Sequence, residues 1–260
     1  MHKYKIILEY DGTNYRGWQK QKNAKTIQET LTAAASRFLD APVDIQGAGR
    51  TDAGVHALGQ AAHIETSRDI DPEALRAGIN TILPETVNIL SAENALPRFH
   101  ARHHAVSRSY LYLISKRRTA FGRKYAWWIP EPLDRSAMEQ ALGMFRGFHD
   151  FASFADKRME KGSSTTVSVE GLWLLEFDDV IALRIAGSHF LWKMVRRITG
   201  VTVEAGRGRL APGDIERMLL TYSEEPKQFT APPHGLFLEK VLYEGDSLPE
   251  IRLPISIFLP

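Results

Sequence analysis

Cysteine is absent from the 260 residues, which excludes disulfides, thiol nucleophiles, iron–sulfur clusters and the common structural zinc sites. Long apolar runs are absent too. None approaches the ~20 residues of a membrane-spanning helix, and the opening MHKYKIILEYDG meets Lys5, Glu9 and Asp11 too soon for a secretory core. The expectation is a cytoplasmic protein with no targeting signal and no membrane contact. Net charge is only +2, so overall charge implies no acidic partner. Hydrophobic residues at 43% and charged residues at 25% match an ordinary globular chain. The length suits one large domain or two smaller ones.

The positive charge is segregated along the chain. From Asn94 to Pro130 there is no Asp or Glu, while Arg98, Arg102, Arg108, Lys116, Arg117, Arg118, Arg123 and Lys124 are all cationic. Gly12 to Ile27, with Arg16, Lys20, Lys22 and Lys25, and Ile181 to Val203, with Arg184, Lys193, Arg196 and Arg197, are equally free of acids. Aromatic residues interleave with these stretches: Tyr15, Trp18, Tyr110, Tyr112, Tyr125, Trp127, Trp128, Phe190 and Trp192. Cations for phosphates beside rings on which unstacked bases can lie fit a folded or single-stranded RNA. Half-buried strands with solvated faces would give the same pattern. His100, His103 and His104 have metal-ligand spacing but no Cys, Asp or Glu near them in sequence, so phosphate contact or simple exposure is expected rather than zinc.

Periodicity gives a repeated layout. Residues 3–12 read as a strand ending on an Asp-Gly turn, 26–40 as a helix with Thr26 and Glu29 at capping-box spacing, and 43–48 and 59–66 as strands. A helix capped by Asp71 with Pro72 in its first turn is expected over 70–83, and a strand over 87–95. The order then recurs: strand 107–115, helix 133–147, strands 167–177 and 179–187, a helix from Phe190 to Glu204, a helix over 214–221 and a last strand near 235–244. The polar segment 152–166 reads as a mobile loop. The fold class is therefore α+β. Two similar halves, 1–105 and 106–260, each carry a mainly antiparallel sheet with helices on one face, and a cleft between such halves is a natural site.

The stretch GAGRTDAGVHALGQ (47–60) has the glycine density of a phosphate cradle. Counting from Gly47, however, the sixth position of a G-x-G-x-x-G pattern is Asp52, and no Gly-Lys-Ser/Thr follows. A carboxylate inside a phosphate nest would repel the ligand. What remains is a tight turn whose glycines let the backbone pass close to something bulky, with Asp52 held among them and Arg50 two residues earlier. Proximity to Arg50 would favour an ionised carboxylate acting as nucleophile or base. An ordinary Asx turn has the same spacing.

The run Gly49-Arg50-Thr51-Asp52-Ala53-Gly54-Val55-His56 resembles the signature of the tRNA pseudouridine synthase A family. EYDGTNYRGWQKQ (9–21), RFHARHHAVSRSYLYLI (98–114), HDFASF (149–154), FLWKMVRRITG (190–200) and APPHGLFLEKVLY (231–243) resemble its other motifs in order. The resemblance implies the pseudouridine synthase fold, with two α+β halves flanking a central RNA-binding cleft. It implies isomerisation of uridine to pseudouridine at positions 38, 39 and 40 of the tRNA anticodon arm, by a homodimer, with no cofactor and no metal. Asp52 would then be the catalytic carboxylate, attacking or deprotonating at the ribose. Tyr110 would stack on the extruded base, Arg196 would pair with Asp52, and Arg50 would displace the base or hold RNA. Leu236 and Leu238 would form a wall that excludes water. Arg16, Lys20, Arg102, Arg108, Arg117 and Arg118 are the expected RNA contacts. Trp192 and Lys193 depart from some members, which bears on pocket shape and not on chemistry. An RNA glycosidase would break the same bond but needs a second carboxylate to activate water, and the closest acids on either side of Asp52 in sequence are Asp44 and Glu65. A non-catalytic RNA-binding module would show the same segregation of charge.

Overall fold

The computed structural model describes residues 1–156 and 164–254; the remainder of the 152–166 segment lies outside the described residues. The chain forms two compact units, one of 1–106 with 237–249 and one of 107–236 with residues from 250 on.

In the first unit, strand β1 (His2–Tyr10) alternates buried and half-buried residues, with Tyr4, Ile6, Leu8 and Tyr10 on the buried face, the period-two signature of a sheet with one face on a core. Helix α1 (Ile27–Leu39) starts where Thr26 accepts the Glu29 N–H. Strands β2 (Asp44–Gly47) and β3 (His56–Thr66) flank the glycine loop. Helix α2 (Pro72–Asn80) is capped by Asp71, whose carboxylate accepts the N–H groups of Glu73 and Ala74 at 3.0 Å. Such caps are worth about 1 kcal/mol each. Strand β4 (Val87–Asn94) completes the local elements. β1 runs antiparallel between β4 and β3, and β2 pairs with β3 from Asp44↔Glu65 to Gly47↔Ala62. The Tyr4 hydroxyl donates to the Ile70 carbonyl and accepts the Ile70 N–H, so the buried face of β1 looks toward the segment that enters α2.

In the second unit, β5 (Ser107–Ser115), β9 (Val180–Gly187), β8 (Thr166–Phe177) and β7 (Gly147–Asp150) form an antiparallel sheet in that order, with the two-residue β6 (Trp127–Trp128) parallel to β5. Helices α3 (Arg135–Gly143), α4 (Met194–Gly206) and α5 (Pro212–Leu220) complete it. The helix expected from Phe190 begins at Met194, because Lys193 adopts a left-handed conformation with φ 66° and breaks the turn before it. Phe190 and Leu191 therefore lie outside the helix on which the sequence places them. The described start of the expected mobile loop is not loose either. Ala152–Phe154 is a 3₁₀ turn, and Phe154 is fully buried against Phe145 and Phe151.

Strand β10 (Leu236–Leu242) runs parallel to β3, with Phe237 opposite His56 and Leu238 opposite Ala57. This pairing places 237–249 with the first unit, whereas the sequence reading assigns it to the second half. A parallel pairing between segments about 180 residues apart leaves no local trace in the chain.

Candidate active site

One edge of β3 is shared: β2 pairs with residues 62–65 and β10 with residues 56–57. The segment joining β2 to β3, which carries Asp52, emerges beside the start of β10. Its residues form a tight turn in which the Val55 N–H donates to the Asp52 carbonyl at 3.1 Å, and Gly54 takes φ 78°. A positive φ at the third residue of a turn is the type II requirement, met here by glycine. The turn leaves Asp52 half-buried and Arg50 exposed.

The loop is held from several directions. The Trp18 N–H donates to the Thr51 carbonyl at 3.1 Å and the Gly54 N–H donates to the Tyr15 carbonyl at 3.3 Å. The Tyr10 and Thr51 hydroxyls share a hydrogen bond of 2.8 Å, and the Gln60 side-chain amide donates to the Gly49 carbonyl at 2.9 Å. Beneath the loop His56 is buried and stacked on Phe237, with ring centroids 4.8 Å apart. The His56 imidazole, 3.2 Å from Asp11, holds the Asp11 carboxyl well below the usual carboxylate range, helped by the Thr13 hydroxyl and N–H and opposed by partial burial.

Packing within the chain accounts for Gly47 of the loop and for Gly12 on the segment after β1. A Cβ on Gly47 would meet the Trp18 indole at 2.5 Å, and one on Gly12 would meet the Val55 carbonyl oxygen at 2.0 Å. The bulky neighbour inferred from Gly47 is thus Trp18, from the chain itself. Tyr15 and Trp18, read from sequence as stacking rings, are core residues at 3% and 2% exposure, and the Tyr15 hydroxyl bonds to Thr86 Oγ1 at 2.9 Å. Tyr112 is buried as well. Of the aromatics read as interleaved with the basic stretches, Trp128 and Trp192 are the clearly exposed ones.

The second unit holds the other candidates. Tyr110 on β5 is 9% exposed and meets Phe190 edge-on at 5.2 Å. Arg196 is half-buried on α4, its Nε donating to the Ala231 carbonyl at 2.7 Å. The adjacent Arg197 turns inward and donates to the Ser153 and Ala155 carbonyls, and burial lowers its pKa. Sequence spacing does not separate the two arginines; the backbone carbonyls each one reaches do. Leu236 is 5% exposed, and Leu238, which belongs to the first unit, is fully buried.

Among the expected RNA contacts, Arg16, Lys20 and Arg102 are exposed. Arg108 donates to the Ser188 carbonyl at 2.9 Å, Arg117 pairs with Asp179, and Arg118 lies over the Trp128 ring at 5.9 Å. Asp44 and Glu65 face each other at the ladder end remote from Asp52, and Lys3 pairs with Glu65 at 2.7 Å. Neither is placed as a second carboxylate.

The histidines close a turn of the first unit. His63 Nδ1 accepts the Ala101 N–H at 3.2 Å, His104 Nδ1 accepts the His100 N–H at 2.9 Å, and His100 Nδ1 accepts the Arg102 N–H at 3.2 Å. These bonds need unprotonated Nδ1 atoms. Among the described residues no group of three or more His, Cys, Asp or Glu is placed to hold a metal ion. Burial, then the charges of His100 and Lys3, lower His63 to about 4, against opposing contributions from Glu65 and Asp44; His100 is also lowered, by burial first. A folded-state pKa below the unfolded value means that the unfolded chain binds more protons between the two. Stability contributed by His63 is therefore complete above about 6.5 and is lost as pH falls from there toward about 4. Urea midpoints measured across this window are expected to fall with pH, and less steeply in His63→Gln.

A family model described as "tRNA pseudouridine synthase" matches residues 6–103 and 141–244. The tRNA pseudouridine synthase A of Geobacter sulfurreducens is 39% identical over 246 residues, covering 94% of this chain and 100% of that protein. That of Exiguobacterium sibiricum is 37% identical over 243 residues, covering 94% of this chain and 97% of the relative.

Proposed function

The chain belongs to the tRNA pseudouridine synthase family, an isomerase family, and on that premise we propose that it converts uridine to pseudouridine at positions 38, 39 and 40 of the tRNA anticodon arm, with Asp52 as its catalytic carboxylate. The observation that carries the reading is a half-buried carboxylate fixed on a turn whose flanks are held by buried side chains and by main chain. The N1–C1′ bond breaks, the uracil turns, C5 bonds to C1′, the C5 proton leaves and N1 gains one. The formula is unchanged, so no oxidant, reductant or second substrate is consumed, and the proposed route uses no cofactor or metal. Asp52 acts on the ribose, where departure of the base leaves an electron-poor centre. The uridine must leave the stack first, at a cost of a few kcal/mol. Tyr110 stacks on the extruded base, Arg196 binds the substrate, Arg50 displaces the base or holds RNA, and Leu236 excludes water. The protein acts in the cytoplasm as a homodimer.

Phosphate contacts come from Arg16, Lys20, Arg102, Arg108, Arg117 and Arg118. Replacing Arg117 and Arg118 by alanine is expected to weaken tRNA binding and to flatten its dependence on log[salt] by about 0.7 to 0.9 for each phosphate that is no longer neutralised. An unchanged slope would remove both from the interface. The function itself is tested by mapping pseudouridine in unmodified tRNA transcripts after incubation with the protein. Product confined to positions 38–40 is expected, and product elsewhere in the tRNA would refute the assigned site.

A further inference from the structure

We propose that Tyr10 and Gln60 are positioning residues for the Asp52 carboxylate, an inference that rests on the reading of Asp52 given above. The antiparallel ladder of β2 and β3 ends at Gly47, and β3 begins at His56, so the backbone around Asp52 lies beyond the sheet. Main-chain groups of Trp18 and Tyr15 hold Thr51 and Gly54. The side chains of Tyr10 and Gln60 hold Thr51, immediately before Asp52, and Gly49, at the start of the same run.

Neither polar group is required by the core around it. Tyr10 ends the buried row of β1 at 4% exposure, where phenylalanine would fill the same space; what the hydroxyl adds is the bond to Thr51 Oγ1, itself on a residue 7% exposed. Gln60 is fully buried in an otherwise apolar stretch of β3, and its Oε1 has no hydrogen-bond partner among the described residues. A buried amide that leaves its oxygen unpaired is costly, and leucine would avoid that cost. What glutamine supplies there is the donor to the Gly49 carbonyl. Two buried polar side chains on two adjacent strands thus fix the approach to the catalytic residue, while the Tyr15 carbonyl fixes the exit at Gly54, as preorganised catalysis requires.

The test uses the full-length protein, saturating tRNA labelled with tritium at uridine C5, and separately measured tRNA affinity. Tyr10→Phe is expected to lower kcat about tenfold, with KM and tRNA Kd unchanged, because it misplaces the carboxylate without touching RNA. Thr51→Val should give the same loss, Thr51→Ser should keep the wild-type rate, and the double variant Tyr10→Phe/Thr51→Val should be no slower than the slower single variant. Gln60→Leu should lower kcat similarly while leaving the thermal midpoint unchanged or raised. A wild-type kcat in Tyr10→Phe, multiplicative losses in the double variant, or a loss seen only in tRNA affinity would overturn the proposal. If Tyr10→Phe does not fold, equal rates for Thr51→Val and Thr51→Ser would overturn it instead. A wild-type protein that releases no tritium would refute the Asp52 reading, which is a different result from an active wild type with indifferent variants.

Discussion

Asp52→Asn is expected to bind tRNA at least as tightly as the wild type and to release no measurable tritium from C5-labelled uridine, a loss of at least about 10⁴-fold. The amide is nearly isosteric with the carboxylate, and the turn around it is fixed by the Val55 N–H, the Gly54 N–H and the Trp18 N–H, all backbone groups that the substitution leaves in place. What disappears is the negative charge proposed to act on the ribose. In the proposed interface affinity rests on phosphate neutralisation by Lys and Arg, so the slope of log K against log[salt] should not change. Removing a carboxylate that faces a polyanion relieves repulsion. Retention of activity within about tenfold of wild type would show that the chemistry lies elsewhere; a parallel loss of affinity would show that Asp52 serves structure.

Gly12→Ala should have the largest effect on stability, about 3 to 5 kcal/mol, which lowers the thermal midpoint by on the order of 10 °C. Its Cβ would lie 2.0 Å from the Val55 carbonyl oxygen and 2.7 Å from the Val55 carbonyl carbon. Both are backbone atoms, so no side-chain rotation relieves the clash. The segment after β1 and the turn that carries Asp52 must separate by roughly 1 Å. A shift of that size at a catalytic group costs about a hundredfold in rate, so surviving Gly12→Ala protein should also be slow. Gly213 is the control. It lies in the first turn of α5 with nothing within 4 Å of its Cβ, and Gly213→Ala should be neutral or stabilising by up to about 1 kcal/mol. Equal midpoints for the two variants would mean that the contact between the loops does not constrain the fold.

Local signals carried much of the architecture. Thr26 and Asp71 mark the starts of α1 and α2 because capping is a contact within four residues. The alternation in β1 shows its buried face directly. Features set at long range did not show. The start of α4 depends on a left-handed Lys193, a conformation that the local pattern FLWKMVRR does not announce. β7 is a four-residue strand with Phe148 74% exposed, and its register comes from β8. At the candidate site, the octapeptide around Asp52 was legible by resemblance, but the purpose of its neighbours was not. Tyr15 and Trp18 sit among cations and look suited to RNA, yet both are buried, the Tyr15 hydroxyl bonded to Thr86 and the Trp18 N–H to Thr51. Gly47 looks like space for a nucleotide and is space for Trp18. Tyr10 and Gln60 carry a weaker signal, polar groups on positions that alternation or an apolar run assigns to the core, and only their bonds to Thr51 and Gly49 give it meaning.

The central claim is that the protein isomerises uridine rather than cleaving it or merely binding it. It is tested most directly by incubating the wild-type protein with a tRNA transcript tritiated at uridine C5 and following tritium and chain integrity together. Isomerisation predicts tritium release equal to the pseudouridine formed, with every nucleotide still carrying its base. Free uracil with abasic sites, or tight binding with no release, would contradict it.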